Sequence, residues 1–213
     1  MELFHYHYWT NAVEETEMFY VQNDFQVTGR FAVAKGGIQP YHPPLTWDDF
    51  RDESPQFRIV EVRKGRVNIT FGAGKKPMFD HIGFLVTKEE YTDICSRASR
   101  LGWKLDEDDR RTFIGTPFRL RIELQQREDV IGKGEDKLSS MHILVKDNQK
   151  MELGFMNVFG RKLPELLFSE GDQLALERVR ILGQERGVVA DPNGVAIEFV
   201  NNDTGPVVES LKG

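Results

Sequence analysis

The residues best suited to chemistry are two histidines, His5 and His81, that stand at matching distances from matching neighbours. Each opens a run of alternating apolar residues. A candidate helix cap follows six residues later, Asn11 in one case and Thr87 in the other. A glutamate follows nine residues after each histidine, Glu14 and Glu90, at the spacing of a capping box. Neutral imidazole is the commonest side-chain metal ligand. A lone strand histidine is usually structural, but a pair repeated at equivalent places makes shared metal ligation a candidate. His7 shares a strand face with His5 and is a candidate neighbour or alternative to it.

The elements that position these residues form a repeat. In residues 4–9, Phe4, Tyr6 and Tyr8 lie on one face, with His5, His7 and Trp9 on the other. A helix is expected from the Asn11 cap to about Asn23. Strands are expected at 25–33, 57–63 and 66–71, with Lys64-Gly65 as a hairpin turn. The pattern restarts at His81: Ile82, Phe84 and Val86 share one face, and His81, Gly83 and Leu85 the other. A helix from Thr87 to about Arg100 ends at Leu101-Gly102. Strands near 103–105, 111–115 and 118–125 complete the second copy. Arg66-Val67-Asn68-Ile69 aligns with Arg121-Ile122-Glu123-Leu124. The face carrying Arg119, Arg121, Glu123 and Gln125 is polar enough to need bulk solvent or a polar cavity.

A third, divergent module is expected over 138–203, after paired modules at 1–75 and 76–127. It has a strand at 140–145, a helix at 148–159, strands at 163–168 and 174–182, the turn Asp191-Pro192-Asn193-Gly194, and a last strand at 195–200. His142 takes the histidine slot if Asn148 is the helix cap; Met141 takes it if the cap is Asp147. Glu198 reads as a structural carboxylate. An insertion at 35–56, rich in proline and aromatic residues, is either a surface loop packed by its own rings or a lid over a pocket. His42 within it is expected to face solvent.

Composition narrows the function classes. Net charge is −6, so a broad nucleic-acid footprint is not expected. No apolar run reaches the ~18 residues of a membrane span, and the start carries an acid and two histidines, unlike a signal peptide. A cytoplasmic location is the expectation. Cys95, the only cysteine, falls on an apolar helical face and reads as an inert buried thiol.

Two modules that each open on a histidine strand resemble the vicinal-oxygen-chelate superfamily, the glyoxalase, bleomycin-resistance and extradiol-dioxygenase group. Phe79-Asp80-His81-Ile82-Gly83-Phe84-Leu85-Val86 resembles that family's first strand. Asp191-Pro192-Asn193-Gly194-Val195-Ala196-Ile197-Glu198-Phe199 resembles its last turn and strand. The resemblance covers nearly the whole chain and specifies fold better than reaction. It implies an α+β protein whose repeated βαβββ modules form an open, cupped half-barrel, with the third module appended. It also implies metal ligation by His5, His81 and Glu123. Asn68 stands where a fourth ligand would be in glyoxalase-like lyases, so the set is closer to the two-histidine, one-glutamate pattern of extradiol dioxygenases.

Such a triad leaves coordination positions open for substrate oxygens and suits iron, manganese, zinc or nickel. Arg66, Arg121, Asn68 and His7 are candidate substrate contacts, the arginines favouring an anionic or oxygen-rich small molecule. The expectation is a metal-dependent enzyme on a small oxygenated substrate, dioxygenase-like or glyoxalase-like. The alternative is a metal-free binding protein of the bleomycin-resistance type. An odd module count also raises pairing across a homodimer.

Overall fold

The structure, a computed structural model, describes residues 1–34 and 37–201. Lys35 and Gly36 of the insertion and residues 202–203 of the third module lie outside the described residues. The first unit comprises β1 (Glu2–Thr10), α1 (Val13–Gln22), β2 (Gln26–Ala34), β3 (Gly37–Pro40), β4 (Gln56–Lys64) and β5 (Val67–Ala73). The second comprises β6 (Met78–Leu85), α2 (Lys88–Arg100), β7 (Lys104–Glu107), β8 (Thr112–Gly115) and β9 (Arg121–Gln125). The remainder holds β10 (Lys137–Val145), α3 (Asn148–Phe159), β11 (Leu166–Glu170), β12 (Ala175–Gly183), β13 (Gly187–Ala190) and β14 (Ala196–Asn201). This is a mixed α+β protein with two open sheets, as expected from the repeat.

The first sheet has nine strands in the order β3-β2-β4-β5-β1-β6-β9-β8-β7. Each unit's first strand pairs parallel with its own last strand, β1 with β5 and β6 with β9. The two first strands meet antiparallel at the centre, His7 opposite His81 and His5 opposite Gly83. Strand alternation then sorts the side chains. Tyr6, Ile69, Ile82 and Ile122 are buried on the face that packs against the helices and the second sheet. His5, His7, Asn68, His81 and Glu123 share the opposite, concave face.

The second sheet, in the order β11-β10-β12-β14-β13, reuses that central motif. β10 and β12 meet antiparallel, and each has a parallel partner, β11 and β14. Strands β10 and β12 therefore stand together as two first-strand-like strands within the second sheet. The two sheets are joined through polar tyrosines as well as apolar packing. The Tyr6 and Tyr20 hydroxyls lie 2.8 Å apart, and the Tyr20 hydroxyl donates to Asp191 Oδ2 at 3.2 Å.

Helix caps divide the expectations. Thr87 and Glu90 form the capping box of α2. Asn11 does not cap α1: it is exposed, the N-cap is Ala12, and Thr10 Oγ1 accepts the Ala12 N–H at 3.0 Å. Strand β1 runs on to Thr10, which leaves Asn11 in the bend rather than at the cap. Glu14 is consequently free to pair with Arg51 of the insertion at 2.8 Å.

The insertion's rings pack on one another and on Phe57 of β4. Tyr41, Trp47, Phe50 and Phe57 make edge-on contacts between 5.0 and 5.9 Å. A buried ion pair beneath them holds the segment down. Glu17 of α1 accepts two bonds from the Arg30 guanidinium, at 2.7 and 2.6 Å, and a third from Trp47 Nε1 at 2.9 Å. Arg30 Nη1 donates to the carbonyls of Tyr41 and Leu45. No helix among the described residues is long and apolar enough to cross a membrane. Cys95 is half-buried on α2, and burial pushes its thiol up.

Candidate metal centre

His5 on β1, His81 on β6 and Glu123 on β9 come from three adjacent strands, and one ligand atom of each lies within 4.8 Å of the others. All three side chains are buried. Their convergence depends on Gly83. A Cβ there would stand 2.8 Å from His5 Cβ, so only glycine lets the His5 ring lie across β6 towards His81. His5 Nε2 and His81 Nε2 are 3.1 Å apart, and His81 Nε2 is 3.4 Å from Glu123 Oε2.

Neighbouring acceptors set the protonation of both rings. His5 Nδ1 lies 3.0 Å from the Asn68 backbone carbonyl, which can only accept, so Nδ1 carries the proton. His81 Nδ1 lies 2.7 Å from Asp80 Oδ2. Burial alone would raise the Asp80 carboxyl, but its bonds to His81 and Arg121 hold it well below the usual carboxylate range. An ionised Asp80 can only accept, so His81 Nδ1 also carries a proton. Burial, reinforced by His81, lowers His5 to about 4, so its Nε2 is a bare lone pair at neutral pH. For Glu123, burial raises the carboxyl, yet the bond from His81 and the charges of His5, His81 and Arg111 outweigh it and hold it at about 2.

This donor set fits a divalent metal ion. Two imidazole nitrogens at ~2.1 Å from one ion and at right angles would lie ~3.0 Å apart, close to the separation seen. Each ring is oriented from behind by an acceptor, as metal-bound histidines are. Asp80→Asn, which keeps the shape and removes the charge, is expected to weaken metal affinity ~10- to 100-fold. Competition against a chromophoric chelator measures this directly, and an unchanged affinity would show that Asp80 does not orient His81.

The same shifts carry a pH signature in chelator-treated protein. His5 has its ordinary value of 6.5 when unfolded and about 4 when folded, so between these values the unfolded chain binds more protons. Stability is therefore expected to fall as pH drops through that window, by roughly 3 kcal/mol if the whole shift is expressed. Glu123, depressed from 4.5 to about 2, extends the loss below pH 4.5. Urea midpoints from pH 7 to 4 test this, and a flat profile would contradict it.

The triad lies in a cavity of about 570 Å³ on the concave face. His7 lines it, stacked on His81 with ring centres 5.0 Å apart, and its Nδ1 lies 2.7 Å from Thr70 Oγ1. Arg121 lines it too, bonded to Asp80 and lying 4.5 Å over the Phe113 ring. Asn68 is present, but its amide is already used. Oδ1 lies 3.0 Å from His5 Nδ1, and Nδ2 donates to Val130 O and Glu61 Oε2.

Arg66 is not in this cavity. It precedes β5 at the far end of the sheet, where Glu2 binds its guanidinium and a separate cleft opens between the sheets. His42, expected to face solvent, lines the cavity instead, its Nδ1 accepting the Arg30 N–H at 2.9 Å. With Ile38 it makes the insertion part of the cavity wall.

The second sheet holds no comparable centre among its described residues. The cap of α3 is Asp147, which gives the histidine slot to Met141, and that side chain is fully buried in the core. His142 bridges Ser169 Oγ and Glu177, each at 2.6 Å. Glu198 stands opposite Arg180 as Glu123 stands opposite Gly83, and it pairs with that arginine at 3.5 Å.

No family model and no curated protein sequence matches the chain. Solved structures do. The chain resembles 2,2',3-trihydroxybiphenyl 1,2-dioxygenase from Sphingomonas wittichii RW1 at 13% identity and TM-score 0.60, over 93% of this chain and 89% of that one. An extradiol ring-cleaving dioxygenase from B. fuscum matches at 11% identity and TM-score 0.64, over 93% and 71%. Homoprotocatechuate 2,3-dioxygenase from Arthrobacter globiformis matches at 12% identity and TM-score 0.62, over 93% and 79%. At such identities the likeness establishes the fold: the chain folds as these dioxygenases do.

Proposed function

We propose that the chain is a metal-dependent oxygenase of extradiol type, acting on a small molecule that offers two neighbouring oxygens. The observation that carries this reading is the convergence of His5 Nε2, His81 Nε2 and the Glu123 carboxylate at one point of the cavity. A divalent ion there would supply Lewis acidity and, as iron(II), a place for dioxygen beside the substrate. The protein's own part is positional. Asn68 and Asp80 hold both imidazoles by Nδ1, which turns both Nε2 atoms to the same point, and Arg111 bonds Glu123 at 3.2 Å. Burial keeps bulk water from the donors.

The lyase reading needs a fourth protein ligand, and the Asn68 amide is spent on His5, Glu61 and Val130. The fold shared with dioxygenases supports the oxygenase reading in the same direction. A metal-free binding protein has no need of two imidazole nitrogens 3.1 Å apart, each with its other nitrogen committed as a donor.

Untagged protein loaded anaerobically with iron(II) tests the reading. One equivalent of metal by elemental analysis, and oxygen uptake that depends on an added catechol, are expected. Failure to bind iron, manganese, zinc or nickel stoichiometrically would remove the proposal.

A further inference from the structure

The chain carries a net charge of −6, yet its cavity is strongly cationic. Six arginines line it, Arg58, Arg63, Arg110, Arg111, Arg121 and Arg127, against two glutamates, Glu61 and Glu123. A concave site with this excess concentrates anions. Four of the arginines are engaged: Arg63 with Glu61, Arg111 with Glu123, Arg121 with Asp80 and Arg127 with Asp129. Among the described residues, Arg58 and Arg110 have no carboxylate partner.

Arg58 stands at the end of a ladder of flat groups that starts at the metal centre. His81 stacks on His7, with centres 5.0 Å apart and planes 5° from parallel. His7 meets Trp9 edge-on at 4.8 Å, and the Arg58 guanidinium lies 5.5 Å over the Trp9 ring. His7 Nε2 is buried and has no hydrogen-bond partner, on a side chain that is 4% exposed and lines the cavity. A buried polar atom left unpaired in a cavity wall calls for a partner that the protein itself does not supply. Phe31 and Ile38 add apolar lining, which suits a flat, largely apolar body.

We propose that this wall is a subsite for an aromatic acid: a ring lying along His7 and Trp9, with its carboxylate on the Arg58 guanidinium. Such a ligand would place its other edge at the triad. That last clause rests on the metal-centre reading, whereas the acid subsite stands on Arg58, Trp9 and His7 alone. The pairing of carboxylate with guanidinium is charge-assisted and two-pronged, so it distinguishes an acid from its amide.

The test uses aryl carboxylates that cannot chelate a metal, benzoate and phenylacetate, with their carboxamides as neutral controls. Binding to the full chain is followed by calorimetry, with and without bound metal. At least one acid is expected to bind more tightly than its amide, with affinity falling as salt rises. R58Q is expected to weaken the acid about tenfold or more and leave the amide unchanged. R58Q is a surface change, and an unaltered circular dichroism spectrum verifies its fold. Equal binding of acid and amide, or a loss in R110Q with none in R58Q, would overturn the assignment. If the acids bind and respond to R58Q while no metal binds, the oxygenase reading fails and the acid subsite stands.

Discussion

Glu123→Ala and His81→Ala are each expected to abolish stoichiometric metal binding, a loss of more than ~100-fold that exceeds the effect of Asp80→Asn. A triad has no spare donor, so removing one ligand leaves two. Asn68 and Arg111, which bond to the ligands, cannot replace it: Asn68 is fully hydrogen-bonded and Arg111 is a cation. Both variants should fold. Alanine at 123 removes a buried carboxylate, and the Arg111 side chain it leaves behind is 36% exposed and reaches water. His142→Ala, which alters the other sheet's bridging histidine, is the matched control and should retain full binding. Elemental analysis after dialysis against each metal checks the set. Retained stoichiometric binding in Glu123→Ala would show that the ion, if bound, sits elsewhere.

Glu17→Ala is expected to lower stability by ~3–5 kcal/mol, the usual cost of leaving one buried charge without its partner. The Glu17 and Arg30 side chains are only 5% and 6% exposed, and they meet through two parallel bonds. The deletion also takes away the Trp47 Nε1 acceptor. The insertion should then loosen from α1, and limited proteolysis should cut within residues 41–56 before the sheets unfold. Denaturant midpoints give the stability loss; a change below ~1 kcal/mol would mean that the pair is relaxed or hydrated in solution. Because Ile38 and His42 form part of the cavity wall, this variant should also weaken any ligand held there.

How far the sequence could be read depended on which contacts its periodicity encodes. Alternation with a period of two placed His5, His7, His81 and Glu123 on one face, because a strand leaves a side chain only two choices. The repeat supplied the neighbouring first strands. Asp80 was out of reach for the same reason. As the neighbour of His81 it belongs by parity on the opposite face. In the structure Tyr8 pairs with Phe79 and His7 with His81, which leaves Asp80 as the extra residue of a bulge. A bulge re-aims a side chain in a way that alternation cannot show. Arg66 shows a different limit: alternation says nothing about position along the sheet, which puts it beside Glu2. The edge strands β3 and β13 span four residues each and are mostly exposed, so they carry no buried apolar alternation to read. The role of Gly83 had a signal, a glycine inside a strand, though the ring that needs the space comes from 78 residues earlier.

The central pairing of β1 with β6 also sets an order of events. His5 is 63 residues from the carbonyl that fixes its tautomer and 76 from His81. During synthesis the amino-terminal strand has neither neighbour until residues 67–85 have emerged, and the carboxylate donor arrives later still. Contacts this distant form slowly, after long loops have closed. Capture of an ion at the triad would thus be a closing step in assembling the nine-stranded sheet, not a nucleus for it. Because the unfolded chain lacks the site, a metal bound there would draw the folding equilibrium towards the native sheet by mass action.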